Sequence, residues 1–233
     1  MNSAILDALM AARRAGRPVA VATNLRSGQQ RLIFADESNG ELCLDVDMML
    51  AAVDALQTDR NTTLKTPAGD VFVHVYNPPP RMFVVGAVHI AQPLARMAQL
   101  AGYGVTVIDP RRSFAGGERF AGLEISGEWP DEALQRLKPD ARSAIVTLTH
   151  DPKLDDPALE VALRSPAFYV GALGSKKTHA ARLERLRRAG LSDAELAKIH
   201  GPVGLSIGAV SPAEIAVSIM AQITQVRRQG DEA

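Results

Sequence analysis

Four short groups that contain glycine or polar residues follow apolar segments after residue 81 of this chain. The groups are Gly86 to His89, Asp109 to Arg112, Thr149 to Asp151, and Gly174 to Lys177. They contain imidazole, carboxylate, guanidinium and ammonium side chains, which bind anions or transfer protons. An apolar segment followed by such a group is typical of a parallel strand and its carboxyl end, so we expect all four groups at one edge of a sheet.

The first group indicates half of a dinucleotide-binding unit. Gly86 and Ala91 occupy the first and last positions of the pattern G-x-G-x-x-G/A. The middle glycine, which lets a pyrophosphate approach the backbone, is replaced by Val88. His89 lies next to the start of the following helix, where it is either an anion contact or a neutral capping histidine. The pattern predicts a Rossmann-like fold and disfavours NAD(P) as a cofactor.

The second group follows the next predicted strand. Asp109 stands 23 residues after Gly86, where an acid commonly accepts a hydrogen bond from a ribose. Arg111 and Arg112 beside it suit a further phosphate. We expect Asp109 to contact a ligand, whereas Arg112 is better explained as part of a solvated turn.

The third group leaves two interpretations open. His150 and Asp151 either orient a proton-transfer group or a ligand, or belong to a polar loop. That loop would lead to Asp155-Asp156-Pro157, which reads as an N-cap followed by proline at the first helical position. The residue types alone favour the loop.

The fourth group is the better phosphate candidate. Ser175 after Gly174 is a good helix N-cap, but Lys176 and Lys177 place positive charge at the positive end of the helix dipole. A bound anion would turn this unfavourable arrangement of charges at the helix end into a favourable one. Otherwise the lysines extend into solvent.

The elements that must position these groups follow from apolar periodicity. Strands alternating with helices after residue 81 predict a parallel sheet with helices on both faces. Asn77 and three prolines separate this Rossmann-like domain, 78–233, from a smaller N-terminal α+β domain, 1–77. The predicted helices are 3–15, 46–56, 131–138, 157–164, 176–189, 193–199 and 212–228, and the later strands are 144–149 and 168–173. Ser211 to Glu214 predicts a capping box.

Composition excludes several classes of function. With 46% hydrophobic residues the chain can bury a core, and 26 basic against 26 acidic residues give no bulk attraction to nucleic acid or an anionic membrane. The first residues lack a secretion signal and no apolar stretch approaches a membrane span, so a cytoplasmic location is expected. Cys43 is the only cysteine, which excludes a disulfide or a thiolate zinc cluster, and no metal site is expected.

Five segments cover nearly the whole second domain: Val84 to Ala95, Val107 to Arg111, Leu148 to Leu159, Tyr169 to Lys177, and Pro202 to Ile219. In their order and spacing they resemble the XdhC/CoxI family of accessory factors for molybdenum hydroxylases. The resemblance implies a cytoplasmic chaperone that binds the molybdenum cofactor, a pterin with a dithiolene and a phosphate. The chaperone would promote sulfuration of the cofactor and its insertion into an apo-hydroxylase of the xanthine or carbon monoxide dehydrogenase type.

The same resemblance suggests further partners and site residues. It implies a cysteine desulfurase as a second partner, and a homodimer as an assembly to test. It strengthens the ligand interpretation of His150 and Asp151. In the first domain, Glu41 to Asp45 falls where many members carry Ser-Gly-Gly-Cys before an apolar and an acidic residue, but both glycines are absent. Cys43 is therefore either a cofactor contact or, by preference, a small buried apolar side chain.

No catalytic residue is assigned, because no convincing nucleophile and base pair emerges from the sequence. The residues favour a binding and delivery protein over a catalyst. Two other classes stay open: an NAD(P)-dependent oxidoreductase, supported by Gly86 and opposed by Val88, and a nucleotide-sensing Rossmann domain without chemistry.

Overall fold

The computed structural model describes residues 3–111 and 118–229. The backbone contacts divide the chain into two compact units, Met1–Pro78 and Pro79–Ala233. Each unit has its own sheet and its own apolar core.

The first unit is built on an antiparallel sheet with one helix on each face. In β1, Val19 and Val21 pack with α1, whereas Ala20 and Ala22 pack with α2, because alternate residues of a strand face opposite sides. The strand order is β3-β2-β1-β5-β4. The elements are α1 Ser3–Arg14, β1 Val19–Asn24, β2 Gln30–Ile33, β3 Ser38–Gly40, α2 Val46–Thr58, β4 Thr62–Leu64 and β5 Val71–Tyr76.

The second unit alternates strands and helices around a parallel sheet. Its strands are β6 Arg81–Val85, β7 Gly104–Ile108, β8 Glu124–Ser126, β9 Ser143–Thr147, β10 Tyr169–Ala172 and β11 Ile199–His200. Its helices are α3 Ala91–Leu100, α4 Pro130–Leu137, α5 Pro152–Arg164, α6 Lys176–Arg188, α7 Asp193–Leu196 and α8 Pro212–Gln229, with a 3-10 turn at Glu118–Phe120.

The strand order of the second unit is that of a Rossmann fold. The order is β11-β10-β9-β6-β7-β8, and each neighbouring pair is parallel. From β6 the chain builds outward to β7 and β8, then crosses back to β9 and builds in the other direction. The crevice between the carboxyl ends of β6 and β9 is therefore the topological switch point, where such sheets bind ligands. The predicted fold class is confirmed.

Both faces of this sheet are covered, which explains its nearly continuous apolar strands. Met82 and Val84 pack on the side of α3 and α8. Phe83 and Val85 pack on the opposite side with α4, α5 and α6. The helices thus hold the strand ends, and the loops that follow them, on a rigid frame.

The predicted beginning of α5 is wrong by five residues. The helix begins at Pro152, with Asp151 as its N-cap, and Pro157 lies inside it. The sequence Asp-Pro occurs at both places, so local capping rules fit either one. The short strands β3, β4, β8 and β11 were not predicted, because two or three residues carry no periodic apolar pattern.

Candidate functional site

The four groups meet at one edge of the parallel sheet. Each follows the carboxyl end of a strand, and along the edge the strands are ordered β10, β9, β6 and β7. The turn after β10, the loop after β9 and the turn after β6 are therefore neighbours. Arg112 and the residues to 117 lie outside the described part of the chain.

Gly86 is required where β6 turns toward α3. Its φ of +105° lies in a region that favours glycine. A Cβ at this position would also stand 2.5 Å from Cγ2 of Thr149 in the loop after β9. The glycine allows these two loops to touch, and the threonine methyl group occupies space at the switch point.

Val88 and His89 occupy the turn between Gly86 and α3. Val88 is half-buried and packs against the apolar core on the α3 side of the sheet. His89 is exposed, two residues before α3 begins. Ile90 is the N-cap residue of α3, and no side chain in residues 3–111 or 118–229 caps this end of the helix. His89 is thus available to a ligand at this edge.

Asp109 has protein partners in the place of the expected ribose. Oδ2 accepts hydrogen bonds from the Ala87 amide at 2.8 Å and from Nη2 of Arg111 at 2.8 Å. Oδ1 accepts from the Arg111 amide at 3.0 Å and from its Nε at 2.9 Å. These four donors match the roughly four acceptor positions of a carboxylate. A ribose hydroxyl could bind only by displacing one of them.

Asp109 is ionised, and its hydrogen bonds link the ends of two neighbouring strands. The residue is 1% exposed. Burial opposes its ionisation, but the hydrogen bonds from Arg111 and the Ala87 amide outweigh burial and lower the pKa of the carboxyl. Arg111, whose side chain is 34% exposed, has a raised pKa, chiefly because of its hydrogen bond to Asp109. The pair holds the Gly86 turn against the end of β7.

The loop after β9 presents His150 on a constrained backbone. His150 is exposed and has a φ of +62°. Its amide donates to Oδ2 of Asp155 at 3.0 Å, and the Thr149 hydroxyl donates to Oδ1 at 2.6 Å. Asp151 accepts a hydrogen bond from the Lys153 amide at 3.0 Å as the N-cap of α5. The loop interpretation therefore describes Asp151, while the imidazole of His150 faces solvent.

Asp155 and Arg182 are buried beneath this edge of the sheet, and the sequence analysis identified neither as a site residue. Each side chain is 2% exposed, and Nη2 of Arg182 lies 3.8 Å from Oδ2 of Asp155. Burial, partly offset by hydrogen bonds, raises the pKa of Asp155, and burial lowers the pKa of Arg182. The available signal was the spacing of Arg182 four residues before Leu186, which places it on the inward side of α6.

The turn after β10 begins α6 as predicted. The hydroxyl of Ser175 accepts a hydrogen bond from the Thr178 amide at 3.1 Å, which confirms the N-cap. Gly174 has a φ of +149°, and Lys176 and Lys177 are exposed. The capping box at Ser211 is also confirmed, because Glu214 accepts from the Ser211 amide at 2.8 Å.

Cys43 belongs to the first unit, and its predicted burial is wrong. The residue is exposed, whereas the adjacent Leu42 is buried in the core. An extended segment sends alternate side chains to opposite sides, so burial of Leu42 turns Cys43 outward. It lines a cleft of about 410 Å³ together with Asn24, Asp45 and Met48.

Two kinds of feature are absent from the described residues. No group of histidine, cysteine, aspartate or glutamate side chains among them could hold a metal ion. None of the described helices has the length and apolar character needed to cross a membrane.

Comparison with known proteins identifies the family. The family model described as the XdhC Rossmann domain matches residues 82–223. YqeB of Escherichia coli, an uncharacterized protein, is 32% identical over 164 residues, which are 69% of this chain and 30% of the relative. The molybdenum cofactor insertion chaperone PaoD of the same bacterium is 29% identical over 157 residues, 67% of this chain and 43% of the relative.

A solved structure extends the likeness to most of the chain. The crystal structure of a xanthine dehydrogenase from Bacillus halodurans superposes with a TM-score of 0.72 at 26% identity and covers 93% of this chain and 64% of that one. The chain spans less than half the length of YqeB and PaoD, the two relatives from Escherichia coli. The family model matches more than half of this chain and confirms the predicted resemblance. The chain belongs to the XdhC Rossmann domain family.

Proposed function

We propose that this protein is an accessory factor that binds the molybdenum cofactor and promotes its sulfuration and insertion into an apo molybdenum hydroxylase. The cofactor is the cargo, and the recipient is a hydroxylase of the xanthine or carbon monoxide dehydrogenase type. The name of PaoD, a molybdenum cofactor insertion chaperone, supports delivery of this cargo, and the name of the Bacillus halodurans protein supports this class of recipient.

The observation that carries the proposal is the chemistry of the sheet edge. His89 and His150 are exposed there on loops held by buried polar contacts, and Lys176 is exposed at the start of α6. These side chains offer hydrogen-bond donors to the phosphate and the polar rim of a pterin. We assign Gly86, Val88, Gly174 and Ser175 to the turns that shape the site, and Asp109, Arg111 and Asp151 to its framework.

The same edge disfavours a dinucleotide. Val88 replaces the glycine against which a pyrophosphate would rest, and Thr149 fills space beside Gly86. Asp109, the expected ribose acceptor, already receives four hydrogen bonds. These three features oppose an NAD(P)-dependent oxidoreductase.

We also propose a role for Cys43 in sulfur handling, which its exposure supports. Sulfuration needs a group that accepts or presents sulfur, and an exposed thiol that lines a cleft is accessible to a cysteine desulfurase. We propose such a desulfurase as the second partner. A Cys43→Ser variant would then deliver cofactor that lacks the sulfur.

The test is the state of the recipient hydroxylase in cells with and without this protein. Without it, the hydroxylase should retain its iron-sulfur centres but lose most of its activity and cyanide-releasable sulfur. Lys176→Ala should give a partial loss, and Lys198→Ala, which changes an exposed lysine outside the four groups, should behave as the parent. Equal activity and sulfur with and without the protein would contradict the proposal.

A further inference from the structure

The first turn of α6 carries cations where the helix dipole is itself positive. Lys176 and Lys177 are both exposed, and the turn contains no acidic residue. The two charges repel the dipole in the free protein. This arrangement alone does not define a site, but a buried group lies beneath it.

Arg182 is a buried cation with vacant donors. The residue is 1% exposed, and its Nη2 donates to the Leu173 carbonyl at 2.8 Å. Nε and Nη1 are buried and have no hydrogen-bond partner among the described residues. Buried polar groups are normally paired, so vacant donors on a guanidinium indicate a ligand or a functional constraint.

The guanidinium of Arg182 reaches the turn from below. Its Nη2 would lie 3.8 Å from a Cβ built on Gly174, and Thr178 atoms would lie 3.2 Å from that Cβ. The backbone of Gly174 therefore lies between the buried guanidinium of Arg182 and the exposed amino end of α6. A side chain at Gly174 would increase that separation.

The nearby acids compensate the positive charge of this region only in part. Asp155 is 3.8 Å from Arg182 and receives three of its hydrogen bonds from Thr149 and His150. Asp156 is paired with Arg185 at 2.6 Å. One turn of α6 away, Nδ1 of His179 is also buried and has no hydrogen-bond partner in the described part of the chain. Asp155 and Asp156 together balance Arg182 and Arg185, so the excess positive charge of the region lies on the exposed Lys176 and Lys177.

We propose that the turn from Gly174 to Lys177, with Arg182 beneath it, is a binding site for a phosphate monoester. Lys176 and Lys177 contact the phosphate from the solvent side, and the amides at the start of α6 donate to its oxygens. Arg182 supplies a fixed positive charge and is a positioning residue. A phosphate monoester carries a second negative charge, which the three cations Lys176, Lys177 and Arg182 stabilise. Identifying the monoester as that of the molybdenum cofactor rests on the proposed function, but the phosphate site does not.

The test uses the full chain with inorganic phosphate and with glycerol 3-phosphate as probes. At constant ionic strength, calorimetry measures affinity, and amide resonances of Gly174 to Thr178 report the location. We expect both probes to shift these resonances. Lys176→Ala should weaken binding about ten-fold, the effect of losing one charge-assisted hydrogen bond, and leave stability unchanged or slightly raised.

Lys153 provides a matched control. Like Lys177, it is an exposed lysine at the second position of a helix, but α5 begins with Asp151 as its cap. Lys153→Ala should leave phosphate affinity unchanged, and Lys177→Ala should weaken it. Equal affinity of the parent and Lys176→Ala, or an equal loss in Lys153→Ala, would overturn the proposal.

Substitutions of Arg182 separate charge from packing. Arg182→Met should lose phosphate affinity, and Arg182→Lys should restore much of it, since the lysine keeps the charge. Circular dichroism shows whether each variant folds, and the exposed lysine variants test the site if neither does. Equal affinity in folded Met and Lys variants would remove Arg182 from the site.

The outcome is independent of the cofactor role. Phosphate binding at α6 without any binding of molybdenum cofactor would support the site and contradict the proposed function. Cofactor binding that Lys176→Ala and Lys177→Ala leave unchanged would contradict the site and leave the proposed function intact.

Discussion

At the scale of single residues, two buried aspartates act in opposite ways. Asp109 gains enough hydrogen bonds to offset its burial, so its pKa is lowered from the ordinary value of 3.8. Burial dominates for Asp155, and its pKa is raised from the same value. Asp109 thus contributes stability above pH 3.8 that is lost as the pH falls through its folded pKa. The contribution of Asp155 is present below pH 3.8 and is lost as the pH rises through its folded pKa.

We predict that Asp155 takes up its proton at a higher pH than Asp109. Carbon-13 resonances of the two carboxyl groups, assigned with Asp109→Asn and Asp155→Asn, measure the order directly. Asp109→Asn should also lower the free energy of unfolding by about 2 kcal/mol at neutral pH, because donors to a charged acceptor lose their partner. That loss should shrink in acid. The reverse order of protonation would contradict this account of the site.

At the scale of elements, Gly86 and Thr149 join the turn after β6 to the loop after β9. The glycine satisfies two separate conditions, its positive φ and the close approach of the threonine methyl group. Gly102, which follows α3, has a φ of +84°, but no atom of the described residues lies within 4 Å of a Cβ built there. A substitution at Gly102 therefore tests the effect of a positive φ without the effect of a close contact.

We predict that Gly86→Ala destabilises the protein more than Gly102→Ala, whose backbone strain alone costs about 1–3 kcal/mol. Thr149→Ser removes the methyl group and keeps the hydroxyl that bonds Asp155. It should recover about 1 kcal/mol in Gly86→Ala and nothing in Gly102→Ala. Urea unfolding of the single and double variants measures this coupling. Additive effects at Gly86 and Thr149 would show that the two loops do not press on each other.

At the scale of the whole molecule, a Rossmann strand order coexists with an edge that obstructs a dinucleotide. The order of the six strands places the switch point between β6 and β9. Val88, Thr149 and Asp109, which come from three different segments, each obstruct one part of a dinucleotide. Fold and ligand are therefore separate conclusions for this chain.

We predict that NADH and NADPH bind more weakly than the low micromolar range, a limit of about 8 kcal/mol. Val88→Gly should improve whatever affinity exists, but Thr149 and Asp109 should keep it weak. Fluorescence titration of the parent and of Val88→Gly checks both statements. Low micromolar binding of NADH by the parent would restore the oxidoreductase interpretation.

Local patterns along the chain were sufficient for the fold and for several parts of the edge. The apolar run before Gly86, the N-cap at Ser175 and the capping box at Ser211 depend on residues within a few positions of each other. Such short-range preferences act before any tertiary contact forms. For that reason the sheet and its carboxyl edge could be predicted.

Contacts between distant segments determined the rest. Asp109 receives its bond from Ala87 and Arg182 its ion pair from Asp155, and both depend on how strands and helices pack. Cys43 is exposed because Leu42 fills the core, and α5 begins at the first of two equivalent Asp-Pro pairs. Burial and hydrogen-bond partners are properties of the packed chain, since they depend on residues that are distant in the sequence and meet only when the chain folds.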